Sequence, residues 1–200
     1  NGDIDIAKQL IDVAAQAGCQ AVKFQKRTPD ISTPENQKNV ERETPWGTMT
    51  YLDYKKRIEF EDDEYTEIAR YSAEKGLDWF ASPWDVPSVD FLEKHGVVAH
   101  KVASACITDV PLLEALKATG KPIILSTGMS TMEEIEAAVA TVGTDNLVLM
   151  HATSTYSLDP AEANLRMINT LRERFGVPVG YPRSEEHTSE LQSPTSISYA

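Results

Sequence analysis

Three shortages bound this chain before any motif is read. It has only two cysteines, Cys19 and Cys106, and they show no metal-ligand spacing, so a reduced cytoplasmic setting is the simplest reading. It has no apolar run approaching the ~18–20 residues that span a bilayer, and no signal-peptide pattern opens it. It is short of positive charge: 19 Lys and Arg stand against 31 Asp and Glu, a net of −12. That balance argues against nucleic acid and membrane surfaces as partners. An anion site in such a protein must be built locally, from a few lysines and helix N-termini.

What is present is a recurring unit. Two hundred residues suffice for one domain with a real core, or for most of a larger one. Short apolar strands are expected at QAVKFQ, LDWFAS, VVAHKVA, PIILST, NLVLMHA and VPVGY, each apolar enough for burial on both faces. Between them the 3.6-residue period predicts helices. The first runs from Ile6 to about Gly18, with Ile6, Leu10, Val13, Ala14 and Ala17 on one face. Others run from about Glu61 to Glu74, from Asp85 or Ser88 to His95, and from Val110 to Gly120. Ser130 and Glu133 have capping-box spacing for a helix through Val142, and Asp159–Pro160 should open one reaching Phe175. The polar stretch from Lys26 to Arg57 exceeds the usual connection length of about 12–15 residues, which makes it a candidate lid or substrate loop. The acidic run Glu59–Glu64 reads as a solvated helix start.

Strands alternating with helices imply a parallel sheet with right-handed crossovers. A doubly wound open sheet and a (β/α)₈ barrel compete. Hydroxyl and lysine residues recur at nearly every strand end rather than at one switch point, which favours an incomplete (β/α)₈ TIM barrel with about six of eight strands. The richest segment is 101–131, KVASACITDVPLLEALKATGKPIILSTGMST. One strand there delivers Lys101 and Ser104, and the next delivers Ser126 and Thr127 before Gly128. A cation with converging hydroxyl and N–H donors suits a small phosphorylated or carboxylated anion.

After Tyr181 both periodicities vanish. Residues 183–193, RSEEHTSELQS, match the translation of a common sequencing-adapter oligonucleotide, and Ile197–Ala200 resembles a further adapter segment. The division expected is therefore 1–182 as a partial barrel domain and 183–200 as a non-native tail, in which His187 carries no meaning. The alternative is a natural polar tail.

With VKFQ, TPWGTMTYLDYKKRIEF, DWFASPWD, HKVASACITDVPLL, GKPIILSTGMS and HATSTY in this order, the chain resembles the sialic acid synthase family, which includes N-acetylneuraminate, legionaminate, pseudaminate and spore-coat relatives. The resemblance implies a TIM barrel followed by a small antifreeze-like domain that completes the partner's site in a domain-swapped homodimer. It implies condensation of phosphoenolpyruvate with an N-acetylhexosamine such as N-acetylmannosamine. C3 of phosphoenolpyruvate attacks the open-chain aldehyde, water adds at C2, and cleavage of the C2–O bond releases phosphate. A divalent cation, manganese or magnesium, polarises the aldehyde. Carried over by position, Lys23, Ser82, Lys101, Ser104 and Ser126 would hold phosphoenolpyruvate, while Gln25, Ser154 and Tyr156 would face the sugar. The sequence departs from the family at Cys106, where an acidic residue is common, and at Ser154, where some relatives have Asn. The resemblance places the metal-binding histidines beyond Gly180–Tyr181 and one carboxylate before Asn1, so the ligands are expected to be missing from this chain.

Each assignment has a structural alternative. Lys23 and Lys101 could form ion pairs, and Ser82, Ser104 and Ser126–Thr127 could cap turns. Tyr156 could pack at the rim, and Cys106 could be a small wall residue. His151 reads as a satisfied strand-end histidine, and His100 as pointing away from Lys101. Two further functional readings are another phosphoenolpyruvate- or phosphate-binding barrel such as an aldolase, and a fragment without turnover. For residues 1–200 alone, exposed strand edges predict poor solubility and no synthase activity.

Overall fold

Alternating burial, helix caps and register build the sheet expected from the sequence. A computed structural model describes residues 2–153 and 163–181. Six parallel strands follow one another in spatial order: β1 (Ala21–Lys26), β4 (Asp78–Pro83), β5 (His100–Val102), β6 (Ile123–Ser126), β7 (Leu147–Met150) and β8 (Val179–Gly180). Helices intervene: α1 (Ile4–Gln16) precedes β1, α5 (Asp62–Glu74) precedes β4, and α6 (Val86–Lys94) precedes β5. Next come α7 (Val110–Ala118), α8 (Met132–Val142) and α9 (Arg166–Phe175). This is an incomplete (β/α)₈ barrel.

Two faces of the sheet are told apart by what covers them. Val22, Phe24, Trp79 and Ala81 join one buried cluster with Ile11 of α1 and Tyr65 and Ile68 of α5. Val102, Ile123, Leu125, Leu147 and Leu149 join a second with Leu112, Leu116, Ile135, Val139 and Leu171 of α7, α8 and α9. These residues face the helices. The alternate ones therefore face the barrel interior, where Phe80, Ala99, Ile124 and Met150 form a small apolar floor. Met150 lies opposite Gly180, where a Cβ would sit 2.7 Å from the Met150 sulfur, so a large residue meets the smallest one.

Several local expectations shift. Helix α1 is capped by Asp3, whose Oδ1 accepts from the N–H groups of Asp5 and Ile6, and it buries Ala7, Ile11 and Ala14. Ile6 and Val13 are exposed at 38 % and 60 %, and Ala17 is exposed too, so the predicted apolar face was rotated. Small alanines let the helix approach the sheet, and that contact outweighs the larger side chains' pull. The capping box of α8 lies one residue later than predicted. Thr131 Oγ1 accepts from the Glu134 N–H at 3.3 Å, and Glu134 Oε2 accepts from the Thr131 N–H at 2.7 Å. The Ser130 hydroxyl belongs instead to the preceding turn, where it donates to the Gly128 carbonyl. Helix α9 starts at Arg166, and Asn164 before it has a φ of 44°, which breaks any helix running in from Asp159–Pro160.

The long connection is not structureless. It folds as α2 (Pro29–Ser32), α3 (Glu35–Lys38), a hairpin of β2 (Glu41–Thr44) with β3 (Gly47–Thr50), and α4 (Tyr51–Ile58). Its polar look comes from cations lying on rings: Arg42 over Tyr51 at 4.1 Å and Arg57 over Trp46 at 4.6 Å. Ser154, Tyr156, Asp159–Pro160, Pro182 and the tail 183–200 lie outside the described residues.

Candidate active site

Parallel register decides which side chains share the cleft. Gln25 lies beside Ser82, and Lys23 beside Phe80 of the interior floor. His100 pairs with Ala81, so the next step along β4 and β5 brings Ser82 beside Lys101. Lys101 in turn pairs with Ile124, and Ser126 with Met150. Lys23, Gln25, Ser82, Lys101 and Ser126 are thus on the interior face, above or level with the apolar floor. Only β4 separates the strands of Lys23 and Lys101, two strand spacings or about 10 Å. Lys23, Ser82, Lys101, Ser104 and Ser126 are buried, and Gln25 is half-buried.

The loops after β5 and β6 are tied together. The Gly128 N–H donates to Ser104 Oγ at 3.1 Å, which leaves the Ser104 hydroxyl proton available for a ligand. Thr127 is anchored instead to β7, through its N–H and Oγ1 to the Met150 carbonyl at 2.9 and 3.2 Å. A turn-anchoring role therefore accounts for Thr127, while Ser126 faces inward. His100 does point away from Lys101: its Nε2 lies 2.7 Å from Glu93 Oε1, in a cluster with Lys121, and burial lowers its pKa despite that carboxylate. The ring nitrogen of His151 donates to the Ala163 carbonyl at 2.9 Å, as a satisfied strand-end histidine does. Cys106 is a buried member of the larger core.

An apolar cleft of about 390 Å³, lined by Cys19, Phe80, Val98, Ile124 and Val148 among others, lies at the opposite, N-terminal end of the strands. Barrel chemistry belongs to the C-terminal end, where the lysines and serines are.

The acidic run reads differently in three dimensions. Glu59 is not solvated: its side chain is 3 % exposed, accepts from the Arg27 N–H at 2.9 Å, and lies 3.6 Å from Lys26 Nζ. Lys26 also donates to the Phe60 carbonyl at 2.6 Å and sits over the Phe91 ring. Glu61, the exposed N-cap of α5, and Asp62, Asp63 and Glu64 in its first turn keep the expected role. Burial raises the Glu59 pKa above the usual carboxylate value, against the opposing pull of Lys26 and the Arg27 N–H. A raised folded-state pKa means that its contribution to stability is full at low pH and declines as pH rises through that pKa. Glu59→Gln, neutral at every pH, should therefore gain stability relative to wild type between pH 4 and pH 7. Urea midpoints at the two pH values check this, and a relative loss over that interval would contradict it.

Asp85 was foreseen only as a helix cap. It also accepts from the Thr28 N–H at 2.6 Å and the Thr28 hydroxyl at 2.9 Å, while Ser88 supplies the cap bonds. Two buried carboxylates from different elements thus hold the consecutive N–H groups of Arg27 and Thr28. Arg27 itself was missed, although the alternation Lys23, Gln25, Arg27 at the end of β1 was the available signal.

Among the described residues, no three His, Cys, Asp or Glu side chains gather as ligands for a metal ion. These residues do not by themselves fit a divalent cation. No helix among them is long and apolar enough to cross a membrane.

Comparison with known proteins adds an independent line. The model of the NeuB family matches residues 10–197. The human N-acetylneuraminate-9-phosphate synthase is 34 % identical over 191 residues, covering 92 % of this chain and 52 % of that protein. The N,N'-diacetyllegionaminic acid synthase of Legionella pneumophila is 33 % identical over 208 residues, covering 98 % of this chain and 56 % of that one. The crystal structure of an N-acetylneuraminic acid synthetase from Leptospira borgpetersenii, in complex with citrate, superposes with a TM-score of 0.81 at 32 % identity, over 94 % of this chain and 62 % of that one. The chain spans about half the length of the curated relatives it matches.

Proposed function

Because this chain belongs to the NeuB family, we propose that the full-length protein is a carbon–carbon bond-forming synthase that condenses phosphoenolpyruvate with an N-acetylhexosamine to a nonulosonic acid and phosphate. The observation that carries this reading is the shared interior face of Lys23, Gln25, Ser82, Lys101 and Ser126, the lysines level with the apolar floor and the others one step toward the C-terminal ends of the strands. Two ammonium groups and several hydroxyls, gathered where water is largely excluded, suit a ligand with both a carboxylate and a phosphate. In such a cleft each charge-assisted contact is worth more than in water.

In the proposed reaction, C3 of phosphoenolpyruvate forms a bond to the aldehyde carbon, whose oxygen takes up a proton as the sugar's new hydroxyl. Water supplies the new oxygen at C2, and the C2–O bond to the phosphate group breaks. Negative charge grows on the departing phosphate, and Lys101 with the Ser104 and Ser126 hydroxyls is placed to stabilise it, while Lys23 and Ser82 hold the carboxylate. Orientation of the planar enolpyruvate over Phe80 and Ile124 would present C3 to the sugar side, where Gln25 lies. Ser154 and Tyr156 complete the sugar side in this proposal. A divalent cation, manganese or magnesium, held outside the described residues, a domain-swapped homodimer and a cytoplasmic location belong to the same proposal.

The test uses the full-length protein with phosphoenolpyruvate, manganese and a panel of N-acetylhexosamines. Phosphate release in step with formation of a nonulosonic acid is expected, with loss on chelation and recovery on adding metal back. Turnover of an aldol donor with no release of phosphate from phosphoenolpyruvate would instead identify an aldolase.

A further inference from the structure

Strand β5 is three residues long and carries Lys101, yet the backbone ladder holds it only thinly to β4. Among the described residues the two strands share one register pair, Ala81 with His100, whereas β1 and β4 share six. Just below that pair the Val98 N–H reaches the Trp79 carbonyl only at 3.5 Å. Backbone pairing alone therefore does not set Lys101 beside Ser82. A polar cluster on the helix-facing side of the sheet supplies the missing hold. His100 Nε2 lies 2.7 Å from Glu93 Oε1, and Lys121 Nζ lies 3.0 Å from the same oxygen. Glu93 belongs to α6, the helix that follows β4, and Lys121 stands two residues before β6. The three side chains thus tie β5 to the units on both sides of it.

The chemistry gives the central contact one direction. Burial opposes charge on Glu93, yet Lys121 and His100 hold its pKa below the usual carboxylate value, so it is an acceptor. His100 therefore donates from Nε2. Its side chain is fully buried, and Nδ1 has no hydrogen-bond partner among the described residues, so a second proton there would find no acceptor. The neutral ring with its proton on Nε2 is the form that fits. Burying an imidazole with one nitrogen unpartnered is costly, and an apolar side chain would pack there without that cost.

We infer that the Glu93–His100–Lys121 cluster is a positioning device for Lys101: it fixes the height of β5 against β4 and β6 and so holds the ammonium group in line with Ser82 and Ser126. The inference rests on the proposed phosphoenolpyruvate site. His100 touches no ligand in this scheme. It acts through the backbone, because consecutive residues of a strand face opposite sides and a shift of His100 along α6 carries Lys101 with it. A displacement of about 1 Å is enough to spoil a charge-assisted contact.

Calorimetric titration of the full-length protein with phosphoenolpyruvate, which needs no turnover, tests this. Lys101→Met should weaken binding by about 10–100-fold. His100→Leu removes the donor at similar volume, and Glu93→Ala removes the acceptor from a half-buried position. Each should weaken binding by about 5–20-fold while still unfolding in one cooperative thermal transition. His100→Gln, whose amide N–H takes the place of Nε2–H, should stay within about threefold of wild type. In the Lys101→Met background, His100→Leu should cost less than about twofold, because no ammonium is left to misplace. An equal loss in both backgrounds, or His100→Gln as weak as His100→Leu, would overturn the inference and reduce the cluster to packing. The two readings fail separately. Coupled binding without product would sink the condensation and leave the cluster's role standing. Product formation with additive losses would do the reverse.

Discussion

Lys101→Met in the full-length protein is expected to lower kcat/KM for phosphoenolpyruvate by about 10²–10³-fold while leaving the fold intact. Lys101 is 4 % exposed on the interior face, in register with Ile124 and one step from Ser82. Its charge is proposed to meet the phosphate group most strongly as the C2–O bond breaks, so the loss should appear in kcat as well as in KM. Methionine keeps the length of the side chain and adds no buried charge. The variant should therefore still unfold in one cooperative thermal transition, which separates loss of the site from loss of the fold. Steady-state kinetics beside a thermal melt check both halves. A kcat/KM within about threefold of wild type would remove Lys101 from the site, and with it the assignment of the interior face.

The largest effect on stability is expected at Asp85. Its carboxylate is 5 % exposed and accepts four hydrogen bonds: two from Thr28 in the loop after β1 and two from Ser88 in α6. Asp85→Ala removes the helix cap and strands two N–H groups and two hydroxyls at a buried seam. A lost cap costs about 1 kcal/mol and each buried donor left unmade about 1–3 kcal/mol, with partial relief from water, so about 3–5 kcal/mol is expected. That is a large share of the roughly 5–15 kcal/mol by which a domain is stable. Asp85→Asn keeps the volume but turns one acceptor into a donor, and should lose about half as much. Urea unfolding read by tryptophan fluorescence gives the comparison. A change under about 1 kcal/mol in Asp85→Ala would mean that the seam does not hold the loop.

Much of the barrel was legible because its signals are local. A parallel strand buried on both faces needs a continuous apolar run, and PIILST and NLVLMHA are such runs. Asp85, Asp109 and Thr131 stand at helix starts where the orphan N–H groups require an acceptor. The misreadings have local causes too. Ser130–Glu133 and Thr131–Glu134 satisfy the same capping spacing, and only the turn at Gly128, which takes the Ser130 hydroxyl, separates them. In α1, periodicity favoured the larger Ile6 and Val13, whereas packing against the sheet favoured Ala7 and Ala14. The polar segment after β1 passed for a loop because its short helices and hairpin are held by cation–ring contacts rather than by an apolar stripe.

The candidate site divides in the same way. Residue identities, strand assignments and the period-two alternation were enough to put Lys23, Lys101 and Ser126 in strands, since those properties depend on neighbours in the chain, although only Ser126 ends its strand and the two lysines lie in mid-strand. Whether Glu59 lies in water or against the Arg27 N–H, and whether Asp85 caps one helix or also locks a distant loop, depended on elements that are 32 and 57 residues apart in sequence. Burial and charge pairing are properties of the assembled interior. They arise when separate strands come into register, and no local spacing encodes them.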